Sequence, residues 1–580
     1  MSRLGGGESN SAYGNWNVLS GGWGNCTNGD ASSLGGGRFN KATGTYSTVS
    51  GGYLNCATND ASTVAGGRGN LASSNCTFVG GGCGNCATLT YATVGGGFNN
   101  CATGIHSTIS GGYRNSSTNN SSFVGGGVLN NATGNRAVVG GGQQNTTSGA
   151  YSFVGGGAAN TASNTYATVG GGYNNSALGV CSTVAGGRFN KSCNYGFVGG
   201  GHCNCAFGTT NTVSGGYRNT ATGNFDNVIG GGANNTASGY RAATVGGGRS
   251  NTASNTDATV AGGCINIASG NLSTVGGGGS NCACNTYATV GGGGGNTASG
   301  YRSVIAGGTN HTASNSYSTV AGGNANVASG YSSSILGGIS NTASGCRSTV
   351  GGGYVNCATA FSATVAGGYN SRATNSYATV SGGYYSNATG DFSFIGGGHT
   401  NCASAQMAVI AGGYLNTASG YRSVILGGLC NSTTNSYSAV LGGFGNTASA
   451  VYASAVGCCL VANVARTFFT NNSCVCGTVT ATCFVETSSE RFKCCIQPLS
   501  STGQIIKDLN PVRFKWIDQN KGTQDEYGLI AEEVHKVIPE AVKLDQEGLP
   551  EGVSYTKLIP ILIKAVQELQ IRVDELEKRQ

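Results

Sequence analysis

A repeat of about 15 residues fills most of the chain and restricts its fold more than any other feature. The stretch VGGGAANTASNTYAT, residues 154–168, begins again at Val169. With the hydrophobic-x-Gly-Gly step as the marker, 30 copies follow one another to about residue 450. Self-similarity at a fixed short period is typical of solenoids, in which each repeat stacks on its neighbours. The sequence therefore predicts a solenoid over residues 1–450.

Each repeat has the pattern expected of one coil of a parallel β-helix or β-roll. In the segment 166–169, side chains alternate between two faces, so that Ala167 and Val169 share one face and Tyr166 and Thr168 the other. The Ala167 position holds Ser or Ala in nearly every repeat, and the Val169 position holds Val or Ile. We therefore expect small and branched side chains to form a thin core.

Two further positions of the repeat predict its corners. The Gly-Gly pair suits a corner where the backbone has positive φ or where a Cβ would clash. Four residues past the first marker glycine stands Asn, as at Asn416, with exceptions at His311, Ser371 and Ser386. Asn tolerates the left-handed region and can cap its own turn, and stacked Asn side chains can form a hydrogen-bonded ladder. We expect a structural role for this Asn rather than a binding role.

Units of the form VxGGxxNxASGxYST resemble the head repeats of YadA-like trimeric autotransporter adhesins and similar β-roll fibres. The resemblance covers about three quarters of the chain. It implies a left-handed parallel β-roll in which three chains associate side by side. Periodicity by itself predicts only the solenoid.

Composition separates the repeat region from the rest of the chain. All five prolines lie at or after Pro498, as expected if the backbone N–H groups of the repeats are used coil after coil. The first 480 residues hold sixteen Lys and Arg against six Asp and Glu, a charge of about +10. Spread over so many coils, this charge is too weak to indicate a nucleic-acid-binding protein.

Targeting signals are not evident in the sequence. The first residues, MSRLGGGESN, lack the apolar stretch of a signal peptide, and no uninterrupted apolar run of 18 residues follows. We therefore expect synthesis in the cytoplasm without a signal peptide, and no membrane insertion. No motif indicates a cofactor.

The chain has 24 cysteines. Eight take the position after the repeat Asn, where other repeats have Thr or Ser, so we interpret them as small, half-buried substitutes. Only Cys86 and Cys101 take it in neighbouring coils. Seven more lie near the end of the repeats, without the usual CxxC pairs or a nearby His, so we expect no metal site. Disulfides between chains, formed after release, remain the alternative. These seven are Cys458, Cys459, Cys474, Cys476, Cys483, Cys494 and Cys495.

The repeat degrades near residue 450, and residues 451–487 predict a Cys-rich β neck that closes the solenoid. From Ser488 the composition becomes that of a globular domain. One apolar stretch of helical spacing begins near Ile530 and ends at Pro539. Another begins near Tyr555 and continues to the C-terminus, with an a/d seam. A short seam of this kind is more often a single packed amphipathic helix, but the trimer that the repeats imply favours a helical bundle of three chains. The seam comprises Ile559, Leu562, Val566, Leu569, Val573 and Leu576.

The motifs SSERFK, LNPVRFKW, YGLIAEEV and YTKLIPILIKAVQEL resemble, in family order, the C-terminal intramolecular chaperone of endosialidases and phage tail fibres. The resemblance implies that residues 488–580 trimerise, help the β-fibre fold in register and then cut themselves away. By motif match, Ser488 takes the nucleophile position and Lys493 the general-base position, with cleavage between Ser488 and Ser489. Such a lysine accepts the serine proton only when desolvation lowers its pKa. Ser489 replaces the usual Asp and is a minor alternative nucleophile.

These observations favour a mainly β, trimeric fibre of a virus or phage, located at the virion surface or tail and attached to a host glycan or protein receptor. The alternative is a cell-surface adhesin of bacteria. A glycan-degrading enzyme is less favoured, because the six acidic residues of the repeats are isolated. Ice binding is also less favoured, because it would need Thr in two adjacent outward columns, whereas the second is mostly Tyr. The only enzymatic activity expected is single-turnover autoproteolysis.

Overall fold

The computed structural model describes residues 1–471, 493–517 and 523–579. The chain divides into two compact units, Met1–Asn471 and Asn472–Gln580. No helix in these described ranges is long and apolar enough to cross a membrane.

The first unit is a parallel β-solenoid, which confirms the predicted mainly β solenoid of about 15-residue coils. Its coils, of about 15 residues, contribute one short strand to each of two ladders. The valine ladder contains 32 strands from Arg3–Leu4 to Phe468–Thr470, and the alanine ladder contains 31 strands from Ser11–Ala12 to Val461–Ala462, within residues 1–471. Almost all strands are two residues long. Each pairs in parallel with the equivalent strand of the next coil, as Thr364–Val365 pairs with Thr379–Val380.

Both ladders continue past residue 450. The valine ladder includes the longer strands Ala439–Phe444 and Ser454–Cys458, which pair with each other across a register irregularity. Residues 472–487 of the predicted neck lie outside the described residues.

Two corners connect the ladders in every coil. The glycine corner comprises the two residues after the Gly-Gly pair, such as Tyr53 and Leu54. The first of these residues forms an isolated parallel bridge to the equivalent residue of the next coil, and these bridges form a column from Glu8 to Phe444. A second, short column of bridges joins Thr209, Phe225 and Arg241. The turn corner comprises the two residues before the buried small residue that precedes each valine-ladder strand, such as Asp60 and Ala61. A coil therefore passes through glycine corner, alanine ladder, turn corner and valine ladder in that order.

The core has the predicted alternation. Ala167 and Val169 are fully buried, whereas Tyr166 is 53% exposed. The alanine ladder adds a second inward column of small side chains, such as Ala162 and Ala177. Because most of these side chains are Ala, Ser or Val, the ladders lie close together. The largest buried side chains are Ile or Leu at the valine position and His311 in the asparagine column.

The repeat asparagine forms the predicted ladder, but through backbone groups rather than through its neighbours' side chains. In Asn326, Nδ2 donates to the carbonyl oxygens of Gly322 and Gly338, each at 2.9 Å. Its Oδ1 accepts the backbone N–H of Asn341, the next asparagine of the column, also at 2.9 Å. The side chain therefore ties its own corner to the following coil at two points.

The repeat asparagine does not itself take the left-handed conformation that its residue type tolerates. The residue before it does so, as at Leu415 with φ of 57° before Asn416. A second left-handed residue lies at the turn corner, as at Tyr437 with φ of 58°. In both cases the backbone N–H donates to the preceding coil, to the carbonyl oxygens of His399 at 2.9 Å and of Tyr421 at 2.8 Å. These hydrogen bonds between coils hold side chains of any type in a region that non-glycine residues rarely occupy.

The second glycine of the Gly-Gly pair is required by close approach between coils. At Gly323, with φ of 97°, an added Cβ would overlap the carbonyl oxygen of Gly338. At Gly322, an added Cβ would lie in open space. The predicted reason for the glycine pair is thus confirmed for its second member.

The second unit is small and mixed. Its helices are α1 (Gly503–Asp508), α2 (Ala531–Val537) and α3 (Tyr555–Glu577), with a 3-10 turn at Pro539–Ala541 after α2. In the part of this unit that the structure describes, two antiparallel strand pairs join Pro511–Phe514 with Glu526–Leu529 and Val542–Leu544 with Pro550–Val553. The helices predicted near Ile530 and from Tyr555 are therefore present.

We predict that Gly323→Ala destabilises its coil by about 2 kcal/mol, from backbone strain and overlap with Gly338. Gly322→Ala, one residue earlier, is the matched control and should change stability by less than about 0.5 kcal/mol. Amide hydrogen exchange of residues 320–345 measures the effect locally, as a repeat protein requires. Equal exchange in the two variants would contradict the assigned contact.

We also predict a local pH dependence at His311, which replaces Asn in the buried column. Its Nδ1 accepts the backbone N–H of Asn326 at 3.0 Å, and burial lowers the pKa of the imidazole. The unfolded chain, with a histidine pKa of about 6.5, therefore binds the proton more readily than the folded chain. Stability of this coil should fall as the pH decreases below about 6.5. Hydrogen exchange of His311→Asn, which restores the consensus, should lack this dependence.

Candidate self-cleavage site

The predicted cleavage residues lie at the edge of what the structure describes. Ser488 and Ser489 lie outside the described residues, so the distance between the Ser488 hydroxyl and the Lys493 amine is not defined. Lys493 is the first described residue of the second unit and is exposed. Residues 493–500 have no helix or strand, and all are exposed. The structure thus places the general-base candidate on a solvent-accessible segment ahead of α1.

A carboxylate on α3 holds the start of α1. The Glu568 side chain accepts hydrogen bonds from the backbone N–H of Gly503 at 3.2 Å, the backbone N–H of Thr502 at 3.3 Å and the Ser501 hydroxyl at 3.1 Å. An anionic acceptor satisfies N–H groups that the first turn of a helix leaves unpaired, and it complements the helix dipole. Glu568 therefore fixes where the segment that carries Lys493 enters the folded domain.

Two further contacts fix α3 against the rest of the unit. The Tyr555 hydroxyl accepts the backbone N–H of Leu529 at 2.9 Å, and Lys557 Nζ donates to the carbonyl oxygen of Glu540 at 2.6 Å. A small core around Val534 and Ala541 lies beneath these contacts and includes Leu558 and Ile561 of α3. One face of α3 therefore packs against the core of its own chain.

The other face of α3 is apolar and exposed. None of the residues in this helix is buried in the single chain. The exposed fractions are between 38% and 63% along the predicted seam. These residues are Ile559, Leu562, Val566, Leu569, Val573 and Leu576.

The match to known proteins lies in this part of the chain. Residues 488–543 match the family model of peptidase S74, described as Chaperone of endosialidase. The chain thus carries an endosialidase-type chaperone domain behind a long β-solenoid. The matched range begins at Ser488, includes Lys493, and ends before α3. No curated protein matches the chain, and the likeness to YadA-type heads has no support beyond the sequence pattern.

The cysteines form no metal site in the described ranges, where no group of three or more His, Cys, Asp or Glu could hold an ion. Cys474, Cys476 and Cys483 lie outside those ranges. In the solenoid, Cys282 and Cys284 form a disulfide, which sequence reasoning missed because the partner stands two residues along the same outward face. Cys86 and Cys101 face each other in register across neighbouring coils.

Sequence reasoning also missed Glu568, because no spacing signals a contact between residues 65 positions apart.

We predict that Glu568→Ala loosens α1 by about 1–2 kcal/mol, the cost of losing charge-assisted hydrogen bonds to backbone N–H groups. Hydrogen exchange of residues 502–508 in the full chain should accelerate accordingly. Glu575→Ala, on the last turns of the same helix, is the control and should leave this exchange unchanged.

Proposed function

We propose that this chain is a subunit of a trimeric viral or phage fibre, used for host attachment and folded by a C-terminal chaperone that then cuts itself away. The observation that carries the proposal is the chaperone-family match that begins at Ser488, directly behind the repeat region. Chaperone domains of this type would serve a chain that has difficulty in finding one register.

The solenoid has that difficulty. Equivalent residues pair at a spacing of 15 along nearly its whole length, so a slip by one coil keeps every inward column inward. Neighbouring coils differ mainly in their exposed residues, which contribute little to choosing a partner. A repeat of near-equivalent pairings favours misassembly unless another element sets the alignment. A clamp at one end of three chains would remove the ambiguity.

The exposed seam of α3 supports the clamp. Leu562 and Leu569 are 53% and 61% exposed, and spacing by three and four residues places the seam on one side of the helix. Three such helices would cover one another's apolar faces, as in the predicted helical bundle. The rest of α3 would remain available to hold α1 through Glu568.

Host attachment rests on the outer surface of the solenoid. Half-exposed threonine side chains recur along the outward positions of the alanine ladder, as at Thr297 and Thr312, which pair in register in neighbouring coils. Repetition turns one side chain into an extended surface that a host glycan or protein receptor could contact at many points. A cell-surface adhesin of bacteria is the second candidate, favoured by the repeat pattern.

For self-cleavage, Ser488 would act as nucleophile and Lys493 as general base, with the cut between Ser488 and Ser489. Lys493 would have to lose its solvent exposure, because only a desolvated amine is neutral enough to accept the serine proton. Trimerisation of the chaperone would supply that burial. Cutting would therefore follow assembly rather than precede it.

We predict that the full chain, once assembled, is cut into residues 1–488 and residues 489–580. Ser488→Ala and Lys493→Ala should each leave it intact, while light scattering still shows a trimer, because clamping and cutting are separate tasks. Ser489→Asp, which restores the usual family residue, is the control and should be cut at least as fast as the wild type. Intact-mass spectrometry checks all four chains. An uncut wild-type trimer would show that the dyad is inactive.

A further inference from the structure

The charged residues of the solenoid are arranged by height along its axis. All its acidic residues except Glu8 lie at the turn corner. Six arginines and two histidines lie at the glycine corner, on the opposite end of each coil. The acidic residues are Asp30, Asp60, Asp226, Asp257 and Asp391, and the basic residues are Arg38, Arg68, Arg114, Arg188, His202, Arg218, Arg249 and His399.

Every turn-corner carboxylate has a basic residue eight positions away at the glycine corner. The five pairs are Asp30 with Arg38, Asp60 with Arg68, Asp226 with Arg218, Asp257 with Arg249 and Asp391 with His399. Because a coil of about 15 residues rises by roughly 4.8 Å, eight residues correspond to roughly 2.5 Å in height. Opposite charges therefore lie at nearly equal heights on opposite corners.

Basic residues seldom stand level with one another. Among the turn-corner arginines, Arg241 alone has a glycine-corner arginine at its height, Arg249, and it forms a 3.1 Å ion pair with Asp257. The others with fully described surroundings stand level with uncharged residues. These are Arg136, Arg302, Arg347 and Arg422. His106, also at the turn corner, is eight positions from glycine-corner Arg114.

A single chain cannot use this complementarity. The two corners are separated by a ladder in either direction round the coil, and within residues 1–471 the one ion pair is Arg241 with Asp257, inside the turn corner. The guanidinium groups of Arg38 and Arg68 instead lie over the ring of Tyr53, each 5.8 Å from its centroid. An ion pair for these two arginines would therefore need a carboxylate from another molecule.

Cyclic symmetry supplies that molecule. Rotation about an axis parallel to the solenoid keeps every residue at its height, so it brings the turn corner of one copy beside the glycine corner of the next with charges matched. The face that points to the axis of such an assembly is the outer surface of the valine ladder. The positions on this surface are uncharged from Val18 to Phe468, and they include exposed Leu336 and Leu426. The outward positions of the alanine ladder include charged residues such as Lys41 and Arg372.

We propose that three copies of this chain pack with their valine ladders toward a common axis and with the turn corner of each copy against the glycine corner of the next, without axial stagger. The proposal rests on the trimer of the proposed function and adds which surfaces meet. The charge pairs then add to the alignment that the clamp sets. A shift of one copy by one coil, in either direction, would widen at least two of the five height differences from roughly 2.5 Å to roughly 7 Å.

Two native cysteines test the contact without any substitution. Cys76 at the turn corner is exposed, and Cys83 at the glycine corner, seven positions on, is half-buried. In the trimer they face each other between copies. With oxidised glutathione as the oxidant, the two thiols lose their hydrogens and form one disulfide, while the oxidant becomes two reduced glutathione molecules. Full-length protein should give covalent dimers and trimers on non-reducing gels, with the Cys76–Cys83 peptide found by mass spectrometry.

Cys76→Ser and Cys83→Ser should each remove this linked peptide. Asp60→Arg or Arg68→Asp, one coil away, should slow its formation roughly threefold by placing like charges together. The double variant that combines Asp60→Arg with Arg68→Asp should restore the rate of disulfide formation, because opposite charges again face each other. Two outcomes would overturn this packing and leave the trimer standing. One is a trimer by light scattering that does not form the Cys76–Cys83 disulfide. The other is a disulfide that forms equally slowly in the single and the double variants. Monomers would overturn the trimer and the packing together.

Discussion

The solenoid depends on one buried amide per coil. In Asn326, as in most of the column, the side chain binds the carbonyl oxygen of the first glycine of its own pair, a carbonyl oxygen of the next coil and the backbone N–H of the next residue of the column. A buried polar side chain is stable only when its groups are hydrogen-bonded. The amide therefore fixes both the distance between neighbouring coils and their relative rotation about the solenoid axis. The glycine at the corner follows from that distance, since the approach leaves no room for a Cβ. The thin core of Ala, Ser and Val follows as well, because the amide and the glycine already hold the coils close.

The sequence was sufficient for the fold because its signals repeat. A period of 15, alternation at Ala167 and Val169, and a conserved corner glycine in each copy all indicate the same coil, and the structure has it. The conformation of individual residues was less accessible. The left-handed positions are occupied by side chains such as Leu415 and Tyr437, whose types carry no preference for that region. Their conformation comes from hydrogen bonds to the previous coil, a tertiary effect that no local pattern announces.

In the second unit, the helices and the family could be predicted from the sequence, but the contact that positions the candidate site could not. Its helices could be located from apolar spacing and from Pro539, and its family from short motifs. What positions the candidate site is a single carboxylate, Glu568, that reaches 65 residues back to Gly503. A contact of this kind depends on how α1 and α3 pack, and one sequence contains no trace of it. The roles of Ser488 and Lys493 likewise rest on motif position.

Within the 30 repeats, the three departures from the asparagine column all fall between residues 311 and 386. His311 Nε2 and the Ser386 hydroxyl have no hydrogen-bond partner within the described chain, and the Ser371 hydroxyl reaches Gly383 only at 3.5 Å. In the other repeats, an amide with several hydrogen bonds fastens each coil to the next. Under a pull along the axis, such as that between a particle and a surface to which it is held, load passes through every coil in series. We expect the first opening in this stretch, so that the solenoid yields at one place, well away from both of its ends.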